Sequence, residues 1–257
     1  MTNKYRRARK KRKKMWPYLL SFFLLVVLGS GIGVYLAKPS LFSGLQFWKA
    51  KKTAVTTPSS SKKKKEKSDL PAVSTKDWQL ILVNRDNVKP ELNPQLTDVD
   101  AIKVDSRIVE PTRQFLEAAR KIAPEETLIS GYRSVAEQTE LYNERVAQLE
   151  ASGLSHEEAE KQVQTQVQVP GASEHQTGLA IDMSVEAGQS DELGMQLAAI
   201  APQYGFVLRY PDGKSNITGV NFENWHFRYV GVENAQYMAN HQLVLEEYIQ
   251  LLKKAGK

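Results

Sequence analysis

The sequence predicts an α+β fold, a compact domain with a small, mainly antiparallel central sheet flanked by helices. Helix-period and strand-like segments follow one another without the regular βαβ alternation of a parallel sheet. Composition changes sharply near residue 77, where a Lys-, Ser- and Thr-rich stretch gives way to apolar runs of core type. Charge is just as uneven. Residues 1–67 hold 18 Lys or Arg against one acid, a net of +17, so the overall +6 leaves residues 68–257 at −11.

The N-terminal third divides by composition. Residues 1–14 carry nine Lys or Arg and no acid, and residues 18–37 carry no charge at all. A helix of that length covers about 30 Å at roughly 1.5 Å per residue, the thickness of a bilayer core. The expectation is a cytoplasmic basic tail over 1–16, a membrane-spanning helix over 17–37 and everything after it outside, because basic flanks stay inside. A cleaved signal peptide would have a shorter apolar run and a small-residue exit, whereas Tyr35 stands where a small residue is needed. Residues 38–76 read as a disordered linker. Within it Phe42, Leu45, Phe47 and Trp48 suit the outer membrane surface, and the lysine run 62–65 suits a solvated tether near anionic lipid or wall polymer. A nucleic-acid partner would need a basic domain; residues 77–257, the expected folded domain, are acidic.

Within that domain, residues 78–83 read as a short strand. Apolar spacing over 107–122 predicts an amphipathic helix, with Pro111 in its first turn and a start near Glu110. Residues 127–130 are strand-like. Ser134 with Glu137, and Ser155 with Glu158, are capping boxes that open two helices. The Gln-rich stretch 162–168 reads as an exposed helix end. A strand is expected within 178–184, a helix over 191–203, strands over 206–209 and 225–230, and helical sequence from 232 to 254. The chain has no Cys, so no disulfide staples the domain; about 180 residues bury a sound core without one.

Two of the four histidines fall in segments rich in metal-ligand chemistry. Ser173-Glu-His-Gln-Thr-Gly-Leu-Ala-Ile-Asp182 offers an imidazole at His175 and a carboxylate at Asp182, with Gly178 between them to permit a bend. Glu223-Asn-Trp-His226 offers a second imidazole on a separate strand. Three such ligands with one open position make a catalytic zinc site, and Glu223 is a nearby carboxylate free to act as a base. Taken singly, either histidine is more often a hydrogen-bonded core or surface residue. His156 should face solvent, and His241 should be packed or exposed. Trp225 and Tyr229 read as core or pocket wall. Arg228 could serve a substrate or a structural ion pair.

Read together with Ser130-Gly-Tyr-Arg-Ser134, these segments resemble the VanY-type D-alanyl-D-alanine carboxypeptidases, zinc peptidases of the bacterial cell wall that include LD-carboxypeptidases. The resemblance covers the folded part. It departs at Asn224, where the family often has Pro, a position that binds no metal. It implies that His175, Asp182 and His226 hold one Zn2+ and that Glu223 is the general base. It also implies that Arg133 meets the substrate near the scissile bond or terminal carboxylate, and that Gln138 and Ser173 contact the terminal D-Ala. A guanidinium fork suits a free carboxylate or a developing oxyanion. The expected activity removes the C-terminal D-alanine from peptidoglycan stem peptides. The alternatives are an LD-carboxypeptidase acting on tetrapeptide stems, and an inactive peptidoglycan-binding module. The expected setting is the membrane of a Gram-positive bacterium, spanned by one helix, with the catalytic domain outside.

Overall fold

The computed structural model describes residues 69–257. The expected basic tail, membrane span and most of the linker lie outside the described residues. Among the described residues no helix is long and apolar enough to cross a membrane.

A hairpin of β1 (Leu96–Val99) and β2 (Ile102–Asp105) precedes α1 (Val109–Ile122) and β3 (Thr127–Ser130). Two helices, α2 (Val135–Ala151) and α3 (His156–Val163), follow, and then β4 (Ala180–Ser184), α4 (Asp191–Ile200) and β5 (Phe206–Tyr210). A single turn α5 (Ser215–Thr218), β6 (Glu223–Tyr229), α6 (Val232–Asn240) and α7 (Leu245–Lys254) complete the chain. The main sheet has the order β3-β4-β6-β5, and every neighbouring pair is antiparallel.

The pleat divides this sheet into two unlike faces, since successive side chains point oppositely. Ile181, Phe227 and Leu208 lie in register on one face. That face packs on Phe115, Leu116 and Ala119 of α1 and Leu197 of α4. Phe115 is fully buried, with ring centroids 5.2 Å from Phe206 and 5.1 Å from Phe227. The opposite face carries Asp182 opposite His226, and Ala180 and Val207 flanking Arg228. A second core of Val207, Val230, Ala235, Met238 and the α7 residues Leu245, Tyr248, Ile249 and Leu252 closes over part of it. Buried polar chemistry thus sits on the sheet face away from α1.

Both capping boxes form. Ser134 Oγ accepts from Glu137 N at 3.1 Å while Glu137 accepts from Ser134 N at 2.9 Å, and Ser155 and Glu158 repeat the exchange. The sheet and the flanking helices match the expected α+β class.

Several local expectations change. Residues 78–83 are not a strand: Trp78–Leu80 is a 3-10 turn. The carbonyls of Gln79 and Ile81 accept from the buried Arg228 guanidinium at 3.1 and 2.8 Å, so no partner strand is needed there. The hairpin 96–105 was not expected from sequence, because its tight turn uses Asp100 at φ +49° where a glycine signal is absent. The helix expected over 191–203 stops at Ile200, and a 3-10 turn, Ala201–Tyr204, follows with Pro202 in its first turn. The last helical stretch breaks around Gln242, at φ +53°. Gln168 is buried, not exposed, with its carbonyl accepting from Gln138 and its side chain from Arg85. Leu70 and Val73, within the stretch assigned to the linker, pack against the second core.

Candidate metal centre

Sheet register and one tight turn build the site. Ser130, Asp182 and His226 form one row across β3, β4 and β6. Upstream of β4, the 3-10 turn Glu174–Thr177 carries His175, and Gly178 ends it in the left-handed region at φ +67°. The same glycine lets the turn lie against β2: its carbonyl accepts from Asp105 N at 2.9 Å, and a Cβ there would stand 2.8 Å from that nitrogen. His175 is thereby folded back over Asp182.

His175, Asp182 and His226 are all buried, and one ligand atom from each lies within 4.8 Å of the others. Asp182 Oδ2 is 3.4 Å from His175 Nε2, and Oδ1 is 3.0 Å from His226 Nδ1. Asp182 Oδ1 is buried without a hydrogen-bond partner. His175 Nδ1 lies 2.7 Å from the Gly131 carbonyl, where it can only donate, so Nε2 presents its lone pair to the centre. A buried carboxylate oxygen with no donor, facing imidazole nitrogens of this kind, is the donor set of a zinc site.

Glu223 opens β6 with its carboxylate 3.8 Å from His226 Nδ1. Burial pushes its carboxyl up to about 8. Burial disfavours the His226 imidazolium, but Asp182 and Glu174 outweigh it and raise that group to about 9. Burial likewise lowers His175. For Asp182 the two imidazoles overcome burial and hold the carboxyl well below the usual range.

Arg133 follows β3 and its backbone N–H donates to the His175 carbonyl at 3.2 Å. Its guanidinium donates to Gln138 Oε1 at 2.9 Å and to Ser130 Oγ at 3.0 Å. Gln138 is buried and its amide donates to the Gln168 carbonyl at 2.6 Å, so both its ends are held by the protein. Ser173 is buried and its Oγ accepts from His175 N at 3.4 Å. Of the seven residues singled out in the sequence, His175, Asp182, His226 and Glu223 come together at the centre, while Arg133 bonds the His175 carbonyl, Gln138 bonds the Arg133 guanidinium and Ser173 bonds the His175 backbone N–H. His156 is exposed, paired with Glu150 at 2.8 Å, and His241 stacks on Tyr237 with centroids 4.0 Å apart. Arg228 is fully buried in an ion pair with Glu174 at 2.9 Å.

Sequence reasoning passed over Glu174 and Arg209. Glu174 lies between Ser173 and His175, and a carboxylate next to a ligand was its only signal. The fold places it behind His226, between two buried arginines. Burial would raise its carboxyl, but Arg209 and Arg228 outweigh that and hold it well below the usual range.

Comparison with known proteins agrees with this geometry. A family model described as VanY, D-alanyl-D-alanine carboxypeptidase, matches residues 101–232. A D-alanyl-D-alanine carboxypeptidase of Enterococcus faecalis (strain ATCC 700802 / V583) is 38% identical over 181 residues, covering 69% of this chain and 68% of that protein. The solved structure of VanYB in complex with D-alanine-D-alanine superposes with a TM-score of 0.64 at 38% identity, over 68% of this chain and 98% of that one. A mutant VanY D,D-pentapeptidase from a VanB-type resistance cassette, in complex with Zn(II), gives 0.63 at 38% identity over 67% and 99%. The LdcB LD-carboxypeptidase gives 0.56 at 30% identity over 66% and 84%. From the family match, the identity to the enterococcal enzyme and the buried His-Asp-His centre it follows that this chain belongs to the VanY family of D-alanyl-D-alanine carboxypeptidases.

Proposed function

We propose that the domain is a zinc carboxypeptidase that removes the C-terminal D-alanine from peptidoglycan stem peptides. The observation that carries it is the convergence of the three ligand atoms within 4.8 Å, with the Glu223 carboxylate beside them. His175, Asp182 and His226 hold the single ion. When bound, zinc supplies Lewis-acid polarisation of the scissile carbonyl and makes water a competent nucleophile near neutral pH. The zinc-bound VanY and the D-Ala-D-Ala complex of VanYB support this reading.

The chain's own residues supply positioning and proton traffic. Glu223 takes the proton of the attacking water as its oxygen bonds to the carbonyl carbon, then returns it to the departing amine as the C–N bond breaks. Its burial suits a carboxylate that must both accept and release a proton. Arg133 offers a guanidinium pre-set by Gln138 and Ser130, suited to the terminal carboxylate or the developing oxyanion. Gln138, which fixes that fork, and Ser173, which bonds the His175 turn, are the polar residues proposed to contact the terminal D-Ala.

Glu223→Ala retains one zinc per chain and loses turnover by about 10²- to 10⁴-fold, the usual worth of a general base. Near-normal turnover in that variant would refute the mechanism. A second reading, LD-carboxypeptidase action on tetrapeptide stems, is favoured by the similarity to LdcB. Product masses from defined tetra- and pentapeptide stems distinguish the two. An inactive wall-binding module is disfavoured because neither a ligand nor the base is missing. Residues 17–37 are proposed to anchor the enzyme in the membrane with its domain outside; release of the full chain into the soluble fraction by salt alone would count against that anchor.

A further inference from the structure

His226 has one nitrogen on each side of the question. Nδ1 faces Asp182 and Glu223, whereas Nε2 faces Glu174 Oε2 at 3.8 Å. Both His226 Nε2 and Glu174 Oε2 are buried and neither has a hydrogen-bond partner. A neutral imidazole that gives its Nδ1 lone pair to an ion carries its proton on Nε2, and that N–H needs an acceptor. His175 already has one in the Gly131 carbonyl.

The bland explanation of Glu174 is a counter-charge for Arg209 and Arg228. Its oxygens are used too unequally for that. Arg209 Nε at 2.8 Å and Arg228 at 2.9 Å both donate to Oε1, which leaves Oε2 unengaged and turned to the histidine. The cluster is neutral as a whole, two guanidinium groups against the Glu174 and Glu246 carboxylates. Arg209 spends its remaining donors bidentately on Glu246 of α7, at 2.9 and 2.6 Å, and Arg228 spends its own on the carbonyls of Gln79, Ile81 and Tyr229. Glu246 is held in turn by Asn84 at 3.0 Å. Glu174 is therefore clamped through one oxygen and presents the other.

We infer that Glu174 is a positioning residue: its free oxygen receives the Nε2–H of His226 and holds Nδ1 toward the ion, while the buried arginine pair and α7 hold Glu174. The inference rests on the zinc reading above. Removal of Glu174 should weaken metal binding in addition to weakening the fold through the two arginines it pairs.

The test is zinc affinity, measured by competition with a chromophoric chelator on the full chain. Glu174→Gln is expected to bind zinc about 10- to 100-fold more weakly, as for other carboxylates behind a ligating histidine. Glu246→Gln removes a buried charge from the same network without touching Oε2; it should lower thermal stability while weakening zinc binding far less than Glu174→Gln does. If the two variants lose zinc affinity equally, Glu174 is only a structural counter-ion and the inference fails. A readout on the unmutated protein stands independently of variant folding. In the zinc-loaded enzyme, histidine-selective ¹H–¹⁵N spectra should show His226 metallated at Nδ1 with a slowly exchanging Nε2–H; metal on Nε2, or a rapidly exchanging proton there, would overturn it. Normal zinc uptake by the wild type with unaltered affinity in Glu174→Gln would sink this inference alone. Wild-type protein that took up no zinc would sink the catalytic reading with it.

Discussion

Glu126 offers a measurable pH dependence far from the metal centre. It sits just before β3, 1% exposed, with its backbone carbonyl accepting from Arg120 Nε at 3.0 Å. Neither carboxylate oxygen has a hydrogen-bond partner. Burial pushes its carboxyl up to about 7, and the Arg120 guanidinium only partly opposes that. Below the unfolded value near 4.5 both states are protonated, and the group has no effect on stability. Between that value and about 7 the native state holds a proton that the unfolded chain has released, so stability falls as pH rises. At about 1.4 kcal/mol per pH unit the ceiling is about 3 kcal/mol, fully developed above pH 7. Relaxation of the surroundings around the ionised carboxylate lowers the working expectation to about 1.5–3 kcal/mol. Glu126→Gln removes the ionisation. Urea unfolding of both proteins at pH 5 and pH 8 should show the variant gaining that amount relative to wild type at the higher pH. A variant-minus-wild-type difference that is equal at the two pH values would refute the reasoning.

Two further outcomes follow from packing and backbone. Phe115→Ala empties the contact between α1 and the sheet and should cost about 3–5 kcal/mol by urea unfolding; a loss under about 1 kcal/mol would mean that Tyr204, Phe206 and Phe227 repack into the space. Gly178→Ala forces a side chain into the left-handed region, at about 1–2 kcal/mol, and into contact with the Asp105 backbone. Because His175 and Asp182 flank that bend, zinc affinity should fall along with stability, and unchanged values of both would refute the structural role given to the turn.

What was legible in the sequence was local or chemical. Ser134 with Glu137, and Ser155 with Glu158, are recognisable because a cap and its partner lie three residues apart, and both boxes form as expected. The strand at 127–130 and the helix before Pro124 carry their own periodicity. The donor set of His175, Asp182, His226 and Glu223 was visible because histidines are scarce in this chain and the side chains are chemically matched. Residues 78–83 misled for the opposite reason. Their apolar run looks like a strand, yet their carbonyls serve a guanidinium about 150 positions away, and nothing local encodes that.

By itself the sequence determined the class of fold, the capped helices and the side chains able to bind a metal, since each depends on residue type and short spacing. Tertiary structure alone decided how those side chains are used. Antiparallel register puts Asp182 opposite His226, the Gly178 bend returns His175 to them, and the Gly131 carbonyl selects which of its nitrogens faces the centre. It also drew Glu174, Arg209, Arg228 and Glu246 into one buried, neutral cluster behind the second histidine. Charges so far apart in the chain pair because a desolvated charge left without its counter-ion is costly, and that constraint exists only once the sheet and the C-terminal helix have closed around them.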